Sequence, residues 1–291
     1  MANFKWVEVF ISLEGESLYC GYPTVYVRLT NCNFTCKGFN NDANEDITND
    51  VLGFDPADYS NLKDIPIITK GCDSLYAHDK RFAHLWKSGD ESELAQELVN
   101  LLPDKQWYHP ETGLPYILSI TGGEPTLYQK QIPVLLNHPM MEDLKVLLIE
   151  TNCSVPLRDS FINELNKWKD AKGDRQVVWS NSPKLSASGE RWELAIKPDI
   201  ALKQLQVKDC IQYFKFVVGP RDNDFTEVKK AMDEYYNIGI SRSTLVGIMP
   251  ESCTYEQQND ISTQVADMCI KKGYVYVCRL QNYLWGNEVG T

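Results

Sequence analysis

The stretch Tyr116-Ile-Leu-Ser-Ile-Thr-Gly-Gly-Glu-Pro125 indicates how this chain folds. Its first half is an apolar run of strand length, and a glycine-rich turn follows it at once. Glycines at such a turn let a ligand approach the backbone closely, and unpaired peptide groups there can bind a charged amine or carboxylate. A simple glycine turn into a helix is the alternative interpretation of the same residues.

The same alternation of strand and loop extends along the rest of the chain. Strands are predicted at residues 5–12, 24–29, 116–120, 145–150, 176–180, 213–218, 244–248 and 274–277. Apolar stripes at helical spacing lie at Leu94, Leu98, Leu101 and Leu102, at Phe161, Ile162, Leu165 and Trp168, and at Ile261, Val265, Met268 and Cys269. This order favours parallel βα units in an open sheet or barrel. The loops that follow the strands, at 121–125, 151–153, 181–184 and 219–220, should converge on one site.

Composition and charge argue against a nucleic-acid-binding, membrane-spanning or secreted protein. The formal net charge of −11 argues against nonspecific binding to nucleic-acid phosphates, although one or two arginines can still bind a small anion. No apolar stretch approaches the ~18 residues of a membrane helix. The first residues lack the features of a signal peptide, so we expect a cytoplasmic protein. Nine irregularly spaced cysteines in a reducing compartment indicate metal ligation or buried thiols.

Residues 37–71 interrupt the regular order of strands and helices. They contain seven acidic and three basic residues, together with many asparagines. A structureless loop of this length is rare in a compact domain, so we predict an inserted surface excursion within a single domain of residues 1–291. A solvated face is the simplest role for such an acidic segment, and binding of a partner is the alternative.

Cysteines supply the strongest local signal. The sequence Leu29-Thr-Asn-Cys32-Asn-Phe-Thr-Cys36 directly follows a predicted strand, and two thiolates at this spacing can reach adjacent corners of one iron–sulfur cluster. Two buried thiols explain the pair equally well. Cys72, in Gly71-Cys-Asp-Ser-Leu-Tyr-Ala77, supplies a third cysteine. A cluster held by only three thiolates leaves one iron free for a ligand.

Together the three cysteines and the Gly-Gly-Glu-Pro turn resemble the radical S-adenosylmethionine (SAM) superfamily. The segments Leu13-Glu-Gly-Glu16, Gly21-Tyr-Pro-Thr-Val-Tyr-Val-Arg-Leu29 and Cys72-Asp-Ser74 are similar to those of 7-carboxy-7-deazaguanine synthases. Further matches occur in the same order at residues 150–152, 182–184, 214–218, 249–251, 279–281 and 285–287. The resemblance covers nearly the whole chain apart from residues 37–71 and 103–115.

The resemblance implies a partial (β/α)6-type TIM-like barrel with an insertion in its cluster loop. It implies a [4Fe-4S] cluster on Cys32, Cys36 and Cys72, whose free iron chelates SAM, and Mg²⁺ on Ser74. The residues implied to border SAM are Gly71, Cys72, Asp73, Gly123, Ser182, Pro183 and Lys184. Those implied to contact substrate are Leu13, Glu14, Gly15, Arg28 and Thr121.

Three positions depart from the pattern of this family. The family places its third cysteine three residues after the second, where this chain has Phe39, so residues 37–71 are interpreted as an insertion that brings Cys72 to the site. Cys20 is the competing ligand. Glu14 replaces a glutamine, and a carboxylate accepts hydrogen bonds without donating them. Ser74 replaces a threonine and keeps its hydroxyl.

The implied reaction is that of a lyase, which converts 6-carboxy-5,6,7,8-tetrahydropterin to 7-carboxy-7-deazaguanine and releases ammonia. Its product serves queuosine or modified-DNA bases. The resemblance also implies an external electron donor and a homodimer, with no direct contact to nucleic acid or membrane. The alternatives are another small radical SAM enzyme, such as a glycyl-radical activase, and a non-catalytic homologue that binds metal through its cysteines.

Overall fold

The computed structural model describes residues 3–16, 18–41, 44–286 and 288–291. Its strands are β1 (Phe4–Leu13), β2 (Pro23–Leu29), β3 (Lys87–Gly89), β4 (Ile117–Gly122), β5 (Val146–Thr151), β6 (Gln176–Asn181), β7 (Ile211–Val218), β8 (Val246–Pro250) and β9 (Val275–Tyr276). Its helices are α1 (Asn49–Leu52), α2 (Glu91–Leu101), α3 (Ile132–Leu136), α4 (Asp159–Asp170), α5 (Trp192–Ala195), α6 (Pro198–Gln204), α7 (Asp222–Asn237), α8 (Tyr255–Lys272) and α9 (Leu280–Trp285). Asn287, the last residue of the tail motif, lies outside the described residues, as do positions 42 and 43 of the insertion.

The strands form one open sheet in the order β3-β1-β2-β4-β5-β6-β7-β8-β9. From β2 to β9 all neighbours are parallel, whereas β1 pairs antiparallel with both β2 and β3. Every predicted strand is present within a few residues of its predicted bounds. The three-residue strand β3 was not predicted, because Lys87-Ser-Gly89 carries no apolar pattern.

Helices cover one face of the sheet. The predicted stripe of α4 is fully buried, whereas Leu101 of α2 and Ile261 and Met268 of α8 are only half-buried. In α4 the buried side chains include Phe161, Ile162, Leu165 and Trp168. The start of α2 has a capping box, in which Asp90 and Glu93 satisfy each other's backbone N–H groups. No helix in the described part of the chain is long and apolar enough to cross a membrane.

The opposite face of the sheet changes from apolar to polar along four of the strands, β4 to β7. Near the strand beginnings it carries Ile117, Leu148, Val178 and Tyr213, which pack together as a separate apolar cluster. Two residues further along the same strands, and therefore on the same face, stand Ser119, Glu150, Ser180 and Lys215. The interior of the open barrel thus has an apolar floor, with polar side chains above it at the carboxyl ends of the strands.

The described part of the insertion, residues 37–41 and 44–71, folds into short elements of its own. It contains α1 and two short 3₁₀ turns, Pro56–Asp58 and Leu62–Asp64. Ile65 and Ile68 are buried against Val7 and Phe82, in a small apolar cluster separate from the main core. These contacts anchor the excursion beside the barrel and bring its last residues back to the sheet.

Candidate functional site

A pocket of about 610 Å³ lies inside the open barrel. The predicted site residues that line it are Leu13, Glu14, Gly15, Arg28, Cys32, Cys36, Gly71, Cys72, Asp73, Ser74, Thr121, Gly123, Ser182 and Lys184. Pro183 is buried and does not line it. The loops after β4, β5 and β6 therefore converge as predicted, but residues 219–220 do not reach the pocket.

The structure brings the three predicted cysteine ligands into one apolar group. Cys36 is buried against Phe34 and Ala195, and Cys32 and Cys72 pack against the same group. Among the described residues, no three His, Cys, Asp or Glu side chains are grouped as ligands of a single metal ion. Three cysteine thiols that line one pocket are donors of the kind that hold the irons of a four-iron cluster.

Burial favours the protonated form of each of these three thiols. Burial raises the pKa of Cys32 to about 11 and that of Cys36 to about 12. Burial, with nearby Asp73 and the other two cysteines, raises the pKa of Cys72 well above its ordinary value. Lys184 acts in the opposite sense on Cys32 and Cys36. A metal that binds here must displace these protons, because the thiolate is the ligand.

The glycine pair after β4 has a packing role that the sequence argument missed. A Cβ at Gly123 would lie 2.1 Å from the backbone oxygen of Asn31, and one at Gly122 would lie 2.1 Å from that of Leu29. The N–H of Gly123 donates to Leu29, and the N–H of Glu124 donates to Asn31. The expectation that these peptide groups are unpaired is therefore wrong. The glycines let β4 end directly against the loop that carries Cys32.

Glu124 stabilises the loop that carries Cys32 through a series of hydrogen bonds. Its buried carboxylate accepts hydrogen bonds from the hydroxyls of Thr126 and Thr151 and from the backbone N–H of Asn152. The side-chain amide of Asn152 donates in turn to Asn33 at 2.9 Å. This chain of bonds ties the ends of β4 and β5 to the residue that follows Cys32.

Arg28 points into the pocket from β2 and is only partly satisfied. Its Nε donates to Glu8 at 2.7 Å, and its Nη1 donates to the Ser74 hydroxyl at 3.1 Å. Arg28 therefore forms a salt bridge with Glu8. Nη2 has no hydrogen-bond partner within the described residues, so the guanidinium retains a donor for a ligand anion. The Ser74 hydroxyl also lies 3.3 Å from an Asp73 oxygen.

Glu14 is buried at the edge of the pocket. One of its oxygens accepts from the Tyr26 hydroxyl at 3.0 Å, and the other accepts from the backbone N–H of Glu16 at 3.1 Å. Burial, followed by the nearby charge of Glu150, raises the pKa of Glu14 to about 7. A protonated carboxyl can donate as well as accept, so Glu14 can reproduce the hydrogen bonds of the glutamine that it replaces.

Sequence reasoning missed a charged network across the pocket. Glu16 pairs with Lys215 at 2.5 Å and with Arg279 at 2.8 Å, and Arg279 also pairs with Asp73 at 2.8 Å. Burial opposes ionisation of Asp73, but Arg279 holds the pKa of that carboxyl below its ordinary value. Lys215 could have been recognised from the sequence as a candidate site residue, because it is a lone cation between Phe214 and Phe216 on a buried strand.

Comparisons with known proteins agree with this geometry. No protein-family model matches the chain. A 7-carboxy-7-deazaguanine synthase of Pyrobaculum aerophilum is 24% identical over 98% of this chain and 96% of its own length. The synthase of Clostridium acetobutylicum is 26% identical over 85% of this chain and 81% of its own length. The chain is similar to 7-carboxy-7-deazaguanine synthases. The synthase of Halobacterium salinarum, 23% identical over 98% of this chain, extends the same likeness.

The fold likewise has a counterpart among solved structures. QueE from Escherichia coli matches 96% of this chain and 94% of its own, with a TM-score of 0.54 and 18% sequence identity. This likeness confirms the predicted fold class, a partial α/β barrel. The predicted resemblance to 7-carboxy-7-deazaguanine synthases is also confirmed, by relatives that match the chain almost from end to end.

Proposed function

We propose that this chain is a radical SAM lyase, which converts 6-carboxy-5,6,7,8-tetrahydropterin to 7-carboxy-7-deazaguanine with release of ammonia. The observation that carries the proposal is the convergence of three cysteines and a partly unsatisfied arginine on one pocket. The names of the full-length relatives support the same activity. The product would enter 7-deazapurine biosynthesis, for queuosine or for modified DNA bases.

The residues present fit the implied cofactors. Cys32, Cys36 and Cys72 would hold the [4Fe-4S] cluster through three of its irons. The cluster and SAM, when bound, supply the radical chemistry, while the protein positions the substrate and excludes competing reactions. The residues proposed to border SAM are Gly71, Cys72, Asp73, Gly123, Ser182, Pro183 and Lys184. Pro183 lies behind the pocket wall, so its role would be to fix the turn between Ser182 and Lys184.

Substrate would lie against the polar face of the barrel. Arg28 would bind the substrate carboxylate through its unpaired N–H, a charge-assisted bond that contributes roughly 1.5–3 kcal/mol. Leu13, Glu14, Gly15 and Thr121 would surround the pterin. The Ser180 hydroxyl is buried on the pocket wall without a hydrogen-bond partner among the described residues, and it offers a further contact.

Magnesium would take the Ser74 hydroxyl, beside the Asp73 carboxylate, as one of its oxygen ligands. The same hydroxyl accepts a hydrogen bond from Arg28 and keeps a second lone pair that the ion could use. We further propose that the chain acts as a single domain in a homodimer and receives its electron from a separate donor. A set of reduced thiols suits the cytoplasm, where we place the protein.

The test is anaerobic incubation of the reconstituted protein with SAM, a reductant, Mg²⁺ and the carboxypterin. Mass spectrometry should detect 7-carboxy-7-deazaguanine together with released ammonia. Cleavage of SAM without the deazapurine would indicate another radical SAM activity, such as activation of a glycyl-radical enzyme. A protein that binds no iron and sulfide would contradict the proposal as a whole.

A further inference from the structure

Glu190 contacts the loop between the first two cysteines through a single carboxylate oxygen. Its Oε1 accepts from the backbone N–H groups of Thr35 and Cys36, each at 2.8 Å, and from the Thr35 hydroxyl at 3.1 Å. Thr35 and Glu190 are 155 positions apart in sequence, so these bonds join the loop after β2 to the loop after β6. Nothing in the motifs described above involves Glu190.

The backbone that presents Glu190 is well fixed. The N–H of Glu190 donates to the hydroxyl of Ser188 at 3.2 Å, and that hydroxyl donates to the carbonyl of Leu185 at 2.6 Å. The N–H of Gly38 donates to the carbonyl of Ser188 at 2.9 Å. A Cβ at Gly38 would lie 2.6 Å from the Ala187 carbonyl oxygen, so the two loops are packed backbone to backbone. Glu190 is therefore held against its three donors by contacts on both sides.

These hydrogen bonds bear on the electronic properties of a cluster at Cys36. Reduction potentials of iron–sulfur clusters depend on nearby charge and on hydrogen bonds to the sulfurs. N–H groups that donate to sulfur stabilise the reduced, more negative form. Here two N–H groups of the loop, those of Thr35 and Cys36, donate to a carboxylate. The carboxylate also places negative charge beside Cys36, whose backbone N–H donates to it at 2.8 Å.

We propose that Glu190 is a positioning residue, which orients Cys36 and lowers the reduction potential of the cluster. This inference rests on the proposed cluster at Cys32, Cys36 and Cys72. A lower potential makes the reduced cluster a stronger reductant toward SAM. Glu190 acts by withholding two N–H donors from the sulfurs and by placing a charge beside them, with no contact to substrate.

The experiment measures the midpoint potential of the reconstituted cluster, by redox titration followed through the electron paramagnetic resonance of the reduced form. Iron and sulfide contents are measured on the same samples. Glu190→Gln keeps an oxygen acceptor and removes the charge, and it should shift the potential to a more positive value at unchanged iron content. Glu190→Ala also frees the two N–H groups, and it should shift the potential further.

The matched control is Glu193→Gln, which makes the same change at an exposed carboxylate whose side chain is 66% accessible and paired with Arg191. Its potential should equal that of the parent. A full cluster in Glu190→Gln whose potential equals that of the parent and of Glu193→Gln would overturn the inference while leaving the proposed function intact. A parent protein that assembles no cluster would overturn both.

Discussion

Arg279 donates from Nη2 to Asp73 at 2.8 Å, across 206 positions of sequence. The same guanidinium donates from Nε to Glu16 at 2.8 Å and from Nη1 to the carbonyl of Ser252 at 2.7 Å. The buried Arg279 side chain therefore links Glu16 near the start of the chain, Asp73 after Cys72, and Ser252 after β8. Three separate parts of the pocket wall depend on one side chain.

Replacing Arg279 with Gln should destabilise the whole fold. The substitution leaves Glu16, whose side chain is only 16% accessible, with less compensating charge, and breaking a buried ion pair in this way costs about 3–5 kcal/mol. The free energy of unfolding in denaturant is the measurement. Arg242→Gln is the control, because Arg242 is exposed and stacks on Tyr236. Equal free energies of unfolding for the two variants would show that the ion pairs of Arg279 do not stabilise the fold.

The order of strands and helices could be predicted from sequence because hydrophobic periodicity reports burial directly. The inner face of the barrel was harder to predict, since Arg28 and Lys215 each look like a lone cation on an apolar strand. Their partners, Glu8 and Glu16, lie 20 and 199 positions away. Local patterns carry no information about such pairs.

The cysteines and the Gly-Gly-Glu-Pro turn could be recognised from the sequence, which led us to interpret the two glycines as a place of close ligand approach. The structure gives Gly122 and Gly123 a packing role against the loop that carries Cys32. It also reveals Glu190, which no motif contains, as a contact of Cys36. Close backbone approaches and bonds between distant loops depend on tertiary geometry, and for that reason sequence patterns missed them.

Replacing Arg28 with Ala should reduce kcat/KM for the carboxypterin and leave the iron content unchanged. Loss of one charge-assisted bond, roughly 1.5–3 kcal/mol, corresponds to a loss of about 10- to 150-fold. Steady-state kinetics and iron analysis on the same preparation provide the measurement. Glu8→Gln removes the negative charge beside Arg28 but keeps the guanidinium, so it should retain much more activity. Parental kcat/KM in Arg28→Ala would remove this residue from the substrate site.

Ser74 should determine how strongly the reaction responds to Mg²⁺. Its hydroxyl and the Asp73 oxygen lie 3.3 Å apart and are hard ligands of the kind that this ion prefers. Ser74→Ala should raise the Mg²⁺ concentration needed for half-maximal rate, whereas Ser74→Thr, which keeps the hydroxyl, should not. The measurement is the initial rate over a series of Mg²⁺ concentrations. Identical Mg²⁺ curves for the parent and Ser74→Ala would show that the hydroxyl is not a ligand.

Glu14 should make the stability of the protein fall as the pH rises toward 7 and above. Its pKa is raised from 4.5 to about 7 in the folded state, first by burial and then by Glu150. Between these values the folded protein holds a proton that the unfolded chain has released, so the stabilisation is complete below pH 4.5 and disappears as the pH passes 7.

Glu14→Gln removes this proton linkage and keeps the side-chain shape. From pH 5 to pH 8 the parent should therefore lose more free energy of unfolding than the variant, by an amount on the order of 2–3 kcal/mol. Denaturant titrations of both proteins at the two pH values measure the difference. Parallel pH curves for the parent and the variant would show that Glu14 is ionised in the folded state throughout.

The third cluster ligand is where the sequence departs most from its family, and single Cys→Ala variants test it. Cys72 lies in the same apolar group as Cys32 and Cys36, and Ile65 and Ile68 anchor the insertion that returns the chain to this point. Lengthening this loop to 35 residues costs only roughly 2–3 kcal/mol of closure entropy, which several iron–sulfur bonds can offset.

Loss of the cluster, measured as iron and sulfide per chain and as visible absorbance, should follow substitution of Cys32, Cys36 or Cys72. Cys20 is exposed, and its thiol contacts the Gly15 carbonyl at 3.9 Å, so Cys20→Ala should assemble a full cluster. Cys269→Ala controls for the removal of a buried thiol remote from the pocket, since Cys269 packs in the main core. An intact, SAM-cleaving cluster in Cys72→Ala would refute the insertion model, and with it the roles proposed for Asp73 and Ser74.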